Sequence, residues 1–217
     1  MSFDSDRFER YAQELNDAAN TMSVELSETA TEKLLKYLFL LEKWNKAFNL
    51  TAVRDTDEML SRHLVDSLSI VPYIKGSRIL DVGTGAGLPG IPLAILFPEC
   101  HFTLVDSNIK KTRFITQSLI ELGLKNVEVQ HARVETLKFD EPFQQVVSRA
   151  FASLEKMVTL CHPHLANNGQ FLAMKGLDML DEKNAMPAQF QVEKTINLMV
   201  PGCEAQRHLI IIGFSSD

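Results

Sequence analysis

A chain of 217 residues with 45% hydrophobic and 23% charged positions is long enough for one sizeable α/β core and has the balance of an ordinary soluble globular protein. No apolar run reaches membrane-spanning length, since Tyr37-Leu-Phe-Leu-Leu41 is cut short by Glu42 and Lys43, and the acidic, polar stretch Met1 to Arg7 is unlike a signal peptide; a cytoplasmic protein without membrane attachment is expected. The net charge of −6 opposes tight binding to bare nucleic acid, although Lys43, Lys46, Arg54, Arg62 and His63 gather in one stretch and Lys110-Lys-Thr-Arg113 in another, each readable as a solvated helix face.

Residues 1 to 74 read as helical. Ser27 is placed to cap a long helix whose apolar stripe is Leu34, Leu38, Leu41, Trp44 and Phe48, and this stripe is expected to pack on the rest of the protein. Asn45 to Asn49 lead into a loop, Leu50 to Asp55. Asp55 or Thr56 then caps a second helix carrying Met59, Leu60, Leu64, Leu68 and Val71 up to Pro72. After Lys75-Gly76 the pattern alternates. Strands are predicted at 77–82, 101–106, 127–130, 144–148 and 170–174, and helices at 90–97, 108–122 and 153–162. Such alternation means a mostly parallel sheet covered by helices on both faces. Phe190 to Val200, the Pro201-Gly202 turn and His208 to Gly213 read as an antiparallel pair that closes it. The expected organisation is a helical extension over 1–74 and an α/β domain of seven strands over 75–217.

Between the first strand and its helix lies Asp81-Val-Gly83-Thr-Gly85-Ala-Gly87-Leu88-Pro-Gly90. Glycines at this density let the backbone turn with positive φ and leave no Cβ in the way of a ligand. Gly85 to Gly90 fits the dinucleotide pattern G-x-G-x-x-G, while Asp81 to Gly87 fits the D-x-G-x-G-x-G form of S-adenosylmethionine-dependent methyltransferases. Both ligands want a carboxylate at the end of the next strand to accept from ribose hydroxyls, and Asp106 supplies it. The antiparallel finish favours the methyl donor, because a nicotinamide enzyme needs a second mononucleotide half. Cys100, Cys161 and Cys203 are too few and too scattered for a disulfide framework and read as buried thiols; His162 and His164 lack partners at ligand spacing, so no metal site is expected.

Lys43-Trp-Asn-Lys-Ala-Phe-Asn-Leu-Thr51, Arg62-His-Leu-Val-Asp-Ser67, the Asp81 to Pro92 loop, Ser148-Arg-Ala-Phe-Ala-Ser153 and Lys175-Gly176 resemble, in order, the motifs of the ribosomal RNA small-subunit methyltransferase G family, also called glucose-inhibited division protein B. The likeness runs from roughly residue 27 to residue 213 by motif order. It implies a Rossmann-like methyltransferase fold and methylation of N7 of one guanosine in 16S ribosomal RNA, with S-adenosyl-L-methionine as cofactor and the 30S subunit or an assembly particle as partner. Carried over by position, Gly83 and Leu88 should contact the donor, Val134 and Glu135 should lie beside its adenine, and Arg149 should line the same pocket. Asp106 aligns with the family's acid after the second strand, and Ala86 stands where relatives carry proline.

Guanine N7 has an in-plane lone pair and no proton, so in-line attack on a sulfonium methyl needs no general base. Positioning is the expected source of rate, with Arg149, Lys175, His63 and Asn49 as candidates. Each has a plainer reading. His63 and Asp66 can pair locally on one helix face, Asn45 and Asn49 can close a turn, Lys175 can be solvated, and Trp44 reads as core. A monomer is expected. Alternatives are a methyltransferase for another substrate class, a nicotinamide-dependent oxidoreductase, and a non-catalytic ribosome-binding module.

Overall fold

The computed structural model describes residues 5–149, 151, 153–176 and 185–215. Helix α1 (Ser5–Thr21) precedes α2 (Glu28–Phe48), which Ser27 caps by accepting the Ala30 N–H on its hydroxyl at 3.1 Å. Asn49 ends α2 in the left-handed conformation, with φ +51°. The apolar stripe of α2 runs out before the helix does: Leu34, Leu38 and Leu41 are buried, Trp44 is half-buried and Phe48 is exposed. The helix predicted from Asp55 onwards is irregular. Asp55 caps the short α3 (Thr56–Met59); a π-helical stretch, Leu60–Val65, follows, then α4 (Asp66–Leu68) and a 3-10 turn, Val71–Tyr73.

The strands are β1 (Arg78–Val82), β2 (His101–Asp106), β3 (Val127–His131), β4 (Phe143–Ser148), β5 (Leu165–Lys175), β6 (Phe190–Leu198) and β7 (Arg207–Phe214). They form one sheet in the order β3-β2-β1-β4-β5-β7-β6. The first five are parallel, and β7 inserts antiparallel between β5 and β6. β5 starts five residues earlier than expected, because Leu165 already pairs with Phe143 before a register shift brings Gln170 opposite Gln145. Helices α5 (Gly90–Leu96), α6 (Ile109–Leu122) and α7 (Leu154–Cys161) connect the parallel strands.

Side-chain alternation along the strands feeds two cores. Ile79, Phe102, Leu104 and Val147 join α1 to α6 in one buried cluster, whereas Leu80, Val105, Val146 and Phe171 face α7 in the other. The strand order reverses between β1 and β4, so the crevice for a ligand opens beyond their carboxyl ends. Among the described residues no helix is long and apolar enough to cross a membrane, and no cluster of metal-ligating side chains exists. Only Cys161 is a fully buried thiol, its pKa pushed up to about 12 by desolvation; Cys100 and Cys203 are partly exposed, contrary to expectation.

Candidate active site

The loop after β1 is held by its own side chains. Asp81 is wholly buried, and its Oδ2 accepts from the Thr84 hydroxyl at 2.7 Å and from the Gly90 N–H, the first of α5, at 2.8 Å. Burial raises this carboxyl to about pH 6 against the pull of those two donors, and its Oδ1 has no partner among the described residues. Most backbone donors of the loop are also taken. Gly83 and Thr84 N–H groups go to the Val105 carbonyl, Gly87 and Leu88 to that of Thr84, and Gly85 to Asp106 Oδ2 at 2.9 Å. Tyr37 of α2 braces the turn from behind by donating to the Ala86 carbonyl at 2.8 Å.

This arrangement separates the two ligand readings. A pyrophosphate binds at a helix N-terminus whose N–H groups are free to receive it. Here a buried carboxylate occupies that position on α5, which suits a cationic ligand nearby and repels a polyanion. The glycines serve shape: Gly83, Gly85 and Gly87 have φ of +67°, +64° and +95°. A Cβ on Gly87 would stand 2.5 Å from Ile91 Cδ1, so this residue is required for packing of the loop on α5, whereas one on Gly85 would meet nothing nearer than Lys111 Nζ at 3.9 Å.

Two cavities flank the chain leaving β4. The first, about 240 Å³, is bounded by Val82 and Gly83 of the β1 edge, Val105, Asp106 and Ser107 of the β2 edge, the Ala132–Glu135 turn, and Phe151, Lys156 and Leu160. Asp106 Oδ1 accepts the Asn108 N–H at 2.8 Å while Oδ2 takes Gly85, so its orientation is fixed and lone pairs remain for hydroxyl donors. Gly83, Asp106, Val134 and Glu135 therefore come together as the sequence predicted. Gly85, Gly87 and Leu88 do not line this cavity; Leu88 is buried in the helical core because its loop packs down on α2 and α5. Asp81 lies behind the loop as its brace.

The second cavity, about 310 Å³, is lined by Thr51, Ala52, Val53, Arg62, His63, Asp66, Arg149, Met174, Lys175, Gly176 and Arg207. Arg149 lines this cavity and not the first, where the family resemblance implies it. Asp66, 1% exposed, draws it over: Asp66 Oδ2 accepts Arg149 Nη1 at 3.0 Å, and Oδ1 accepts Arg207 Nε at 3.2 Å. The same Nη1 also donates to the Arg62 carbonyl at 3.0 Å. Lys175 Nζ donates to the Phe151 carbonyl, tying the partition between the cavities to β5. Asn49 stays outside both, where its Oδ1 accepts from Arg54; the neighbouring Asn45 closes the turn through the Thr51 N–H and the Val53 carbonyl. Arg207 escaped the sequence reading, since nothing local marks a strand-initial arginine whose partner lies 141 residues away.

His63 is buried in the wall of this cavity. Its Nδ1 is 3.0 Å from the Arg62 carbonyl and must donate, which leaves Nε2 to accept the Thr51 hydroxyl at 2.9 Å; Thr51 in turn accepts the Val53 N–H. Burial first, then the nearby Arg149 charge, lowers its pKa to about 4, so it is neutral at pH 7. A depressed pKa gives stability that is present above the unfolded value near 6.5 and lost as pH falls through about 4. That loss should be on the order of 3 kcal/mol. Urea unfolding between pH 7 and pH 4 should show it, and His63→Gln should flatten the profile; an equal acid slope in both proteins would rule out His63 as its source.

Known proteins match this chain over most of its length. Residues 30–210 match the family model described as rRNA small subunit methyltransferase G. A ribosomal RNA small subunit methyltransferase G of Marinobacter nauticus is 55% identical over 199 residues, covering 92% of this chain and 93% of its own. Another, of Ectopseudomonas mendocina, is 54% identical, covering 94% and 96%. Among solved structures, the glycopeptide N-methyltransferase MtfA with bound S-adenosylmethionine superposes with a TM-score of 0.61 at 10% identity, covering 71% of this chain and 88% of that one. An S-adenosylmethionine-dependent methyltransferase of Thiobacillus denitrificans, complexed with S-adenosyl-L-homocysteine, gives 0.53 at 12% identity, covering 70% and 91%. At such identities these two likenesses concern the fold alone.

Proposed function

We propose that this chain, which belongs to the rRNA small subunit methyltransferase G family, moves a methyl group from S-adenosylmethionine to N7 of a guanosine in the 16S ribosomal RNA of the small subunit. The observation that carries the reading is the pair of cavities on either side of the β4 exit, one built for a nucleoside and the other basic. The first fits the donor: apolar walls at Val134, Phe151 and Leu160, an oriented Asp106 for ribose hydroxyls, Glu135 for the adenine amino group, and a glycine loop with little bulk at its rim. When bound, S-adenosylmethionine supplies an electrophilic methyl on a sulfonium.

The protein's own part is placement. The second cavity carries Arg62, Arg149, Lys175 and Arg207 against Asp66, with His63 neutral; outside its wall Glu58 pairs with Arg62 at 3.0 Å. That excess of positive charge suits a phosphate backbone and the O6 acceptor of guanine, and argues against a neutral metabolite as substrate. No side chain is required to remove a proton. Fixing donor and base in line can supply about 7–11 kcal/mol of the barrier. In this reading segment 1–74 shapes the acceptor side through Thr51, Arg62, His63 and Asp66, while 75–217 carries the donor cavity. The protein acts as a cytoplasmic monomer on RNA within a 30S particle, where several contacts offset its net charge of −6.

Incubation with labelled donor and 30S subunits from a strain lacking this protein, followed by mapping of the modified nucleotide, tests the reading. One labelled guanosine whose Watson–Crick edge stays open to chemical probes and which yields to N7-specific cleavage is expected. Label in protein or in small metabolites, with none in RNA, would refute it.

A further inference from the structure

The aromatic end of α2 has no role in either cavity, yet it is built with care. Phe48 is 44% exposed, and its ring lies against Trp44 at 5.1 Å between centroids; Trp44 in turn rests on Phe114 of α6 at 5.7 Å. The two helices run antiparallel. Lys36 pairs with Glu121 at 3.6 Å near one end and Trp44 meets Phe114 further along, so the next turn sets Phe48 opposite the start of α6, where Ile109 is also 44% exposed. A water-exposed phenylalanine stacked on a tryptophan offers a broad π-face rather than a core contact.

Charge and position identify the occupant. Lys43, Lys110, Lys111 and Arg113 make no side-chain hydrogen bond or ion pair among the described residues, so this end is strongly basic on a chain of net charge −6. Lys111 Nζ reaches the glycine loop at Gly85. Asn49, immediately after Phe48, turns the chain so that Thr51 and Val53 enter the wall of the basic cavity. The platform is thus contiguous with the site where the acceptor base is read.

We propose that Phe48, backed by Trp44 and flanked by Lys43 and Lys110, stacks an unpaired base of the ribosomal RNA next to the target guanosine, with the lysines on its phosphates. Aromatic stacking tolerates any base and contributes enough per base to change affinity by roughly 5- to 150-fold. This inference rests on the RNA-methylating reading above.

The test uses the full chain with Phe48→Ala and Phe48→Tyr, and 30S subunits lacking the modification. Phe48→Ala should raise KM for 30S subunits by about 10-fold, with kcat within about 2-fold, unchanged S-adenosylhomocysteine affinity by calorimetry and an unchanged melting temperature. Phe48→Tyr should restore KM. Lys110→Gln should weaken 30S binding and flatten its salt dependence by about 0.7 in slope. An unchanged KM in Phe48→Ala, an equal loss of homocysteine-analogue affinity, or a change only in self-association would overturn the platform. Co-sedimentation with 30S subunits separates the two readings: wild-type binding lost in Phe48→Ala without methyl transfer by either protein leaves the platform standing and removes the enzyme assignment. Equal methylation rates by both at 30S concentrations well below KM remove the platform alone.

Discussion

Replacing Asp66 by alanine should destabilise the protein by about 3–5 kcal/mol, one of the largest effects of any single substitution in the site. Its carboxylate is buried between two guanidiniums brought from opposite parts of the chain, Arg149 after β4 and Arg207 at the start of β7. Both arginine side chains are about three-quarters buried, at 25% and 23% exposure. Removal of the anion leaves two desolvated cations facing one another with no counter-charge, and that repulsion adds to the lost hydrogen bonds. For a chain of this size the melting temperature should fall by about 10 °C. Asp66→Asn retains the shape and one acceptor and should cost less than the alanine change. The double variant Asp66→Ala, Arg207→Met should recover part of the loss, because one of the stranded charges is gone. Urea unfolding of these proteins together with Arg207→Met alone gives the coupling directly. A loss below about 1 kcal/mol for Asp66→Ala would mean that solvent reaches the pair and screens it.

The same cluster shows where sequence reading stops. Alternating strands and helices after Gly76 were legible because the central strands β1, β2 and β4 are near-continuous buried runs rich in apolar residues and each connection is short. Asp81, Gly83 and Asp106 were legible as a group for the same reason: strand ends and the glycine turn bring them to one edge. The role of Asp81 was not. Only coordinates place its carboxylate on the Gly90 N–H, and that contact decides between a cationic and a pyrophosphate ligand. Leu60 and Leu64 fit an α-helical stripe as well as they fit the π-helical stretch they form, since periodicity cannot resolve one widened turn. Trp44 and Phe48 continue the stripe of α2 in sequence, but Phe114 of α6 covers only part of Trp44, and Phe48, a turn further on, is 44% exposed. The sequence places Arg149 just after the fourth strand, as the structure has it after Ser148; which way its side chain turns depends on Asp66, 83 residues upstream.

On the proposed reading, that turn puts Arg149 on the acceptor side. Its Nη1 bridges Asp66 and the Arg62 carbonyl, which fixes the guanidinium in the wall of the basic cavity. A fork held in this way can present a preset donor to guanine O6 or a neighbouring phosphate without reorganising during the reaction. Arg149→Met should therefore lower kcat/KM on 30S subunits by about 100- to 1,000-fold. Affinity for S-adenosylhomocysteine should change by less than threefold, since Asp106, Val134 and Glu135 are untouched. Arg149→Lys should recover little, because an ammonium keeps the charge but loses the planar fork. Asp66 keeps Arg207 in all these variants, so unfolding midpoints should fall less than in Asp66→Ala, and activity measured well below them isolates the chemical effect. Single-turnover methylation with calorimetry on the same preparations separates the alternatives. If homocysteine-analogue binding falls in step with turnover, Arg149 belongs to the donor side, as the family resemblance implies, and the acceptor cavity must be read from Arg62, Lys175 and Arg207 without it.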